Sequence, residues 1–452
     1  MLQSQVLNVL PRRIVAGFWA SQETRVSLSH LYNSNKNNQN EMPAATAPSF
    51  LCSELPVRYT HILRLLSTLS PEALKTPIVR HVAHDYLHDI CTLLHPSLQS
   101  TSPRGFHNVA RRLHQRQAAN LIRLRYAFTT SPTAASLALL DNINTIGFGI
   151  HMLLDQHLSY AQQNGNETQA ISPIEIAKQA AKDAQLAFSE ALGGQVPVPS
   201  IAVKTTTSSM SDQEFTYIPN VLHRILYESS LVALRAELAH AHGDSWIQRK
   251  WKQFSPPPME LHVFGGPTSV GFRLNSTSPL LPNDMGIDIP RDPIGIPTCS
   301  SLLGEITRYH DSKKNASALS SSSDNGQAGL AEWEALSGWR AAKVLASHWG
   351  GNLDMMSVDG LGASIYLALD RDATLAERYP VRTLASAQLL RHHGRISAAA
   401  AAASSSSPLT IQAASIQLDT FLNAIAEQSP AQEFEYNPHY HSVSLSAAVG
   451  HA

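Results

Sequence analysis

Three imidazoles stand three and four residues apart at His81, His84 and His88, with Asp85 and Asp89 among them. On a helix this spacing sets them along one face, an arrangement that can hold a metal ion. The chain has 21 histidines in 452 residues, so clusters of this kind also arise without a site, and a polar face of a helical bundle is the competing reading. His392-His393 and His439-Tyr440-His441 lie near low-complexity sequence and carry little signal. Other chemistries are missing. There is no GxSxG elbow, no HExxH, no Walker A loop and no GxGxxG after a strand. Cys52, Cys91 and Cys299 lie far apart with no CxxC pair, which supports neither a zinc ribbon nor a disulfide framework.

The elements that must position these residues change character along the chain. From about residue 50 to 188 the apolar spacing is helical, with Leu63, Leu65, Leu66 and Leu69 following Pro56. Pro71-Glu72-Ala73-Leu74 reads as a short helical turn. A longer helix is predicted from Thr76 as N-cap and Pro77 at the first position, through Ile78, Val82, Tyr86, Leu87 and Ile90. A third run covers about 109–128, and a fourth contains Ile150, Met152, Leu153 and Leu154. Together they predict a helix bundle. Past Pro197 the pattern is mixed. Strands are predicted over 263–270, 272–274, 353–358 and 365–369, with helices over 221–240 and 332–348. That mixture predicts an α/β sandwich as a second domain. Residues 317–329 and 397–407 are of low complexity, and 417–428 reads as one last amphipathic helix.

Composition narrows the function. Lys and Arg total 34 against 35 Asp and Glu, so bulk electrostatics offers no hold on nucleic acid. No run approaches 18 uninterrupted apolar residues, so no membrane-spanning helix is predicted. Charged residues make up 15%, where about 25% is usual. The first 13 residues are acid-free and end in Arg12-Arg13, which suits a short mitochondrial transit segment as well as an ordinary terminus.

One segment is specific. Residues 215–236, FTYIPNVLHRILYESSLVALRA, resemble the pattern YIPxHLxHMLFELxKNxMRA of the mitochondrial 2-oxoacid (pyruvate and branched-chain) dehydrogenase kinases. Tyr217, Ile218, Pro219, Leu222, Leu226, Glu228, Arg235 and Ala236 keep its frame without a gap. FWASQETRVSLSHLY at 18–32 looks like the family's opening segment, FLCSELPVRYTH at 50–61 resembles FLxxELPxRLAH, and IHMLLDQH at 150–157 is similar to IRMLIxQH. The resemblance, in order from about 14 to 371, implies a two-domain chain. A four-helix-type bundle (14–195) precedes a nucleotide-binding α/β domain of the type shared by gyrase and histidine kinases, the GHKL type (196–375). A low-complexity and C-terminal tail follows (376–452).

By resemblance Glu228 is the general base, and a carboxylate suits that role. The family's Mg²⁺-ligating asparagine falls on Val232, the lysine before it on Leu231, and a histidine four residues before the glutamate on Arg224. Valine offers a hard cation no oxygen. The motif SDxGGGIP, whose Asp meets the adenine amino group, matches best at Asp284-Met285-Gly286. A second, gapless register puts Ser276 at that Asp. The glycines of the phosphate loop GxGxGLP fall on Glu334, Leu336 and Gly338, so two of three are gone. The family's GxGT stands here as Gly360-Leu361-Gly362-Ala363, without the threonine hydroxyl.

The resemblance implies a mitochondrial-matrix protein kinase that uses ATP and Mg²⁺ on a serine of the dehydrogenase E1 subunit. It also implies docking to the lipoyl domain of E2 and assembly as a homodimer or a heterodimer with a paralogue. The lost ligands give the alternative of a catalytically weak or dead relative that docks or pairs without transferring phosphate.

Overall fold

Five of the long helices begin on a proline, the residue whose fixed φ suits a first helical turn and whose missing N–H goes unused there. The structure, a computed structural model, describes residues 10–32, 42–99, 103–129, 133–162, 165–191, 198–205, 214–243, 258–280, 335–358, 361–380 and 409–426. Helix α1 spans Arg12–Ala20, α2 Pro48–Leu66, α3 Pro77–Leu93, α4 Pro103–Thr129 and α5 Ala134–Gln162. Helices α2, α3, α4 and α5 pack in a ring, α2 against α3 and α5, and α4 against α3 and α5. Their apolar stripes meet inside: Leu55, Tyr59 and Ile62 of α2, Val82, Tyr86 and Ile90 of α3, Leu121 and Leu124 of α4, Ile143 and Ile150 of α5. This is the expected bundle. Two of its helices are longer than the apolar spacing predicts, α4 starting at Pro103 and α5 at Ala134.

Helix α5 also meets the length and hydropathy of a membrane-crossing helix, but 67% of that window is buried. Its apolar length serves the bundle core. Thr76 stands at the N-cap of α3 as expected, yet makes no side-chain cap; its hydroxyl donates to the Ala73 carbonyl at 2.6 Å. The three histidines of α3 do not converge. His84 is buried, His81 turns to Asp85 at 3.5 Å, and His88 meets Arg116 at 2.9 Å. Among the described residues no group of three or more His, Cys, Asp or Glu could hold a metal ion.

A mixed sheet follows. Strand β1 (Gln169–Ile171) pairs antiparallel with β3 (Phe215–Tyr217) in a small ribbon. The main sheet has the order β2-β4-β5-β7-β6, with β2 Ile201–Thr205, β4 Met259–Gly265, β5 Ser269–Ser276, β6 Asn352–Val358 and β7 Gly362–Asp370. Strand β2 runs parallel to β4, and the other pairs are antiparallel. Helices α6 (Pro173–Ala191), α7 (Pro219–Gly243) and α8 (Trp339–Ser347) pack onto the sheet. A helical region followed by a mixed sheet with helices is therefore present as expected.

Helix α8 also packs on α5, joining the two regions. The last helix, α9 (Ile411–Ala426), starts six residues before the expected amphipathic segment and lies on α1, where Trp19 Nε1 donates to Gln417 Oε1 at 3.2 Å. The interval from 376 onward, expected as tail, opens with a docked segment that buries Glu377 and Tyr379. Glu377 N donates to Val26 O at 3.0 Å, and Arg378 N to His348 O at 2.7 Å.

Candidate functional site

Helix α7 carries the residues that the sequence marks for chemistry. It follows β3 directly, and its middle is buried from Ile225 to Leu234. Glu228 is 3% exposed. Its carboxylate is held by Arg224 one turn earlier, with Nη2 to Oε1 at 2.7 Å, and both side chains are enclosed. Arg224 Nε also donates to the Leu336 carbonyl at 3.3 Å, and the guanidinium lies 5.4 Å from the centre of the Tyr227 ring. Adjacent His223 turns instead to Asp183 of α6 at 2.9 Å; burial lowers its pKa and the carboxylate opposes that.

Leu231 and Val232 are each 4% exposed and belong to the hydrophobic core. The hydroxyls of Ser229 and Ser230 donate back to Ile225 O and Leu226 O, each at 2.8 Å. Val232 offers a cation no side-chain oxygen, and the Glu228 carboxylate one turn earlier is already ion-paired with Arg224. A hard divalent cation does not fit this set.

The segment before α8 is held from two sides. Arg125 of the bundle donates from Nη1 to Ser337 Oγ at 2.9 Å and from Nη2 to Ala335 O, while Arg224 takes Leu336 O. Gly338 follows with φ +96°, the left-handed conformation that glycine adopts without strain, and forms the N-cap of α8. Gly338 thus keeps a backbone role. The segment beside it is fixed to arginines and does not form a glycine-rich loop.

Gly362 has φ +98°, and a Cβ there would lie 2.3 Å from Ser276 O and 2.9 Å from Thr277 O. The start of β7 thus presses on the end of β5, where Ser276 pairs with Ala363. Gly362→Ala should destabilise the protein by more than about 1 kcal/mol, from the conformation and the clash together. A urea midpoint equal to wild type would contradict this. Asp284, Gly286, Gly360 and Glu334 lie outside the described residues. Of the expected site residues, Glu228 and Val232 share α7, whereas Gly338, Gly362 and Ala363 lie at the start of α8 and the start of β7.

One residue at this end was missed by the sequence reading. Glu237 of α7 is 7% exposed. Its carboxylate accepts from Ser276 Oγ at 2.8 Å, Thr277 N at 2.6 Å, Thr277 Oγ1 at 2.9 Å, Ser278 N at 3.2 Å and Ser278 Oγ at 2.8 Å. Burial works to raise its pKa, but the hydrogen bonds from Ser276, Ser278 and Thr277 outweigh burial and hold it below the ordinary value. The available signal was an acid directly after Arg235-Ala236, one residue past the end of the family pattern.

Comparison with known proteins agrees with the order of these elements. Residues 25–182 match the family model described as mitochondrial branched-chain alpha-ketoacid dehydrogenase kinase, covering the bundle and the first part of α6. Over 383 residues the chain is 24% identical to a pyruvate dehydrogenase (acetyl-transferring) kinase, mitochondrial, of Arabidopsis thaliana, an overlap of 79% of this chain and 93% of that relative. One match covers the bundle and the other most of the chain, both at the level of similarity alone, and both are to kinases of mitochondrial 2-oxoacid dehydrogenases.

Proposed function

We propose that the chain is a non-catalytic member of this family, a mitochondrial regulator of a 2-oxoacid dehydrogenase complex that works by docking or pairing and not by transferring phosphate. The observation that carries this reading is the buried Arg224–Glu228 ion pair, one turn before the core residue Val232. A general base must accept a proton from an approaching hydroxyl. Glu228 instead neutralises a buried arginine, and breaking that pair would leave an uncompensated charge. Phosphoryl transfer rests on positioning and on neutralising the phosphate oxygens, and both functions fall at positions that are apolar or already paired.

In this reading the α/β domain keeps a GHKL-type fold as a scaffold. The bundle supplies the surface for the lipoyl domain of E2, and the partner in a dimer is a second copy or an active paralogue, in the matrix. The five-stranded sheet, the close approach at Gly362 and the bundle support retention of the scaffold.

The test is calorimetric titration of the purified protein with ATP, with and without Mg²⁺, followed by assay of E1 phosphorylation in the presence of the E2 core. Expected are no gain in affinity from Mg²⁺, no labelled E1, and co-sedimentation with the E2 core. Mg²⁺-dependent ATP binding with labelling of an E1 serine would instead make it an active kinase.

A further inference from the structure

Five donors from three consecutive residues converge on the single carboxylate of Glu237, and the place where they do so is not an ordinary helix surface. Ser276 ends β5 opposite Ala363, and it is the residue on which the second, gapless register of the sequence motif puts the base-recognising Asp. The next two residues turn back over α7. The turn is folded on itself, with Ser276 Oγ 3.2 Å from Ser278 N and 3.1 Å from Ser278 O. It is fastened to β6 by Leu280 N donating to Ser357 Oγ at 3.0 Å, and Gly362 presses on its carbonyls from the other side.

We propose that Glu237 is a built-in occupant of this site: its carboxylate fills the cradle made by residues 276–278 and holds the end of β5 shut against a nucleobase. This deepens the non-catalytic reading and rests on it, because it explains how the base end is closed and not only how the metal end is lost. A carboxylate has room for about four hydrogen bonds, and this one already has six contacts from five backbone and hydroxyl donors. No acceptor capacity is left for the amino group of an adenine. A ligand would have to break several charge-assisted hydrogen bonds inside a buried site, with nothing of equal strength offered in return. Helix α7 covalently tethers the carboxylate beside its donors, so a diffusing ligand competes against a group that never leaves.

The proposal separates two ends of one helix. Arg224 and Glu228 close one end, and Glu237 closes the other, nine residues further along the same helix. The residues are different and so are the readouts, so the two can be tested apart. The experiment compares wild type, Glu237→Ala and Glu237→Gln, each with a circular dichroism spectrum to confirm folding. Amide exchange is followed at Thr277 and Ser278, and ADP is titrated in EDTA so that no divalent cation takes part. In Glu237→Ala those two amides lose a charged acceptor and should exchange at least about tenfold faster. The cradle then opens, and ADP should bind at least about tenfold more tightly than to wild type. Glu237→Gln, which keeps the shape and one acceptor oxygen, should fall between the two. An unchanged exchange rate in Glu237→Ala overturns the proposal, and so does an ADP affinity no tighter than wild type. Phosphorylation of E1 by wild type would overturn the non-catalytic reading alone, since the exchange readout does not depend on it.

Discussion

Glu377→Ala is expected to lower the unfolding free energy by about 3–5 kcal/mol, the usual consequence of removing one partner of a buried ion pair. Glu377 is 3% exposed and sits among groups from both halves of the molecule. Arg58 of α2, which is fully buried, donates to Oε2 from Nη1 at 3.1 Å and to Oε1 from Nη2. Val26 N donates at 2.9 Å, and His348 Nε2 lies 3.2 Å from Oε2. Burial works to raise this carboxyl, but the Arg58 charge and the hydrogen bond from His348 hold it down, to about 2. The same pairing overcomes burial at Arg58 and raises its pKa.

With Glu377 gone, Arg58 keeps Glu54 at 2.9 Å and the Thr24 carbonyl at 2.8 Å, too little for a guanidinium with no access to water. Replacing both members, Glu377→Ala with Arg58→Met, should recover much of the loss, because the desolvated charge goes too. Urea unfolding of the two single variants and the double supplies the cycle. A loss below about 1 kcal/mol for Glu377→Ala would contradict the account. Gly149 belongs to the same joint: a Cβ there would lie 2.7 Å from Arg58 Nη1 and 3.1 Å from Glu377 Oε2. Helix α5 can press on the ion pair only because that position has no side chain.

The second large effect is with acid. His151 of α5 is stacked on His114 of α4, ring centres 4.0 Å apart. Burial, and then the neighbouring His114, push its pKa well below the ordinary value. Burial lowers His84 and His157 as well. Each ring is harder to protonate in the native state than in the unfolded chain, which takes up protons below about pH 6.5. Their contribution is therefore full above that pH and is lost as pH falls through it, by about 1.4 kcal/mol per pH unit for each group. Three such groups set an upper slope of about 4 kcal/mol per unit.

Glu377 adds to this at lower pH. Its native pKa lies below that of an unfolded glutamate, so its contribution holds above the unfolded value and fades as pH falls towards about 2. Urea midpoints at pH 7.5, 6.5 and 5.5 measure the limb. His151→Leu should flatten it by about one proton's worth, and a profile level across that range would rule out the assignment to the bundle histidines.

How much of this is legible in the sequence follows from the range over which each signal acts. The helices of the bundle are read from apolar residues three and four apart, a pattern that each helix carries within itself. Pro77 also marks the first residue of α3, whereas Pro48 and Pro103 begin α2 and α4 ahead of where the apolar spacing starts. The turn at Gly362 is legible because one residue type answers a local backbone need. Arg58 and Glu377 are 319 residues apart, and no local pattern joins them. Glu237 is invisible for a related reason: its donors sit at the end of a strand that the chain reaches only after a helix and a further strand. Thr76 shows the opposite limit. Its type and position predict a cap, but its hydroxyl donates to the Ala73 carbonyl and no side-chain cap forms.

The joint at Arg58 also has a meaning in time. A ribosome delivers α2 early and Glu377 more than three hundred residues later. Throughout that interval a nascent bundle would have to bury a guanidinium with only Glu54 to balance it. The N-terminal half therefore cannot settle fully ahead of the rest, whatever its own helical strength. A chain cut short before residue 377 would leave Arg58 to Glu54 alone, without the second carboxylate that ties α2 to the far end of the chain, and such a less stable product is open to chaperones and proteases.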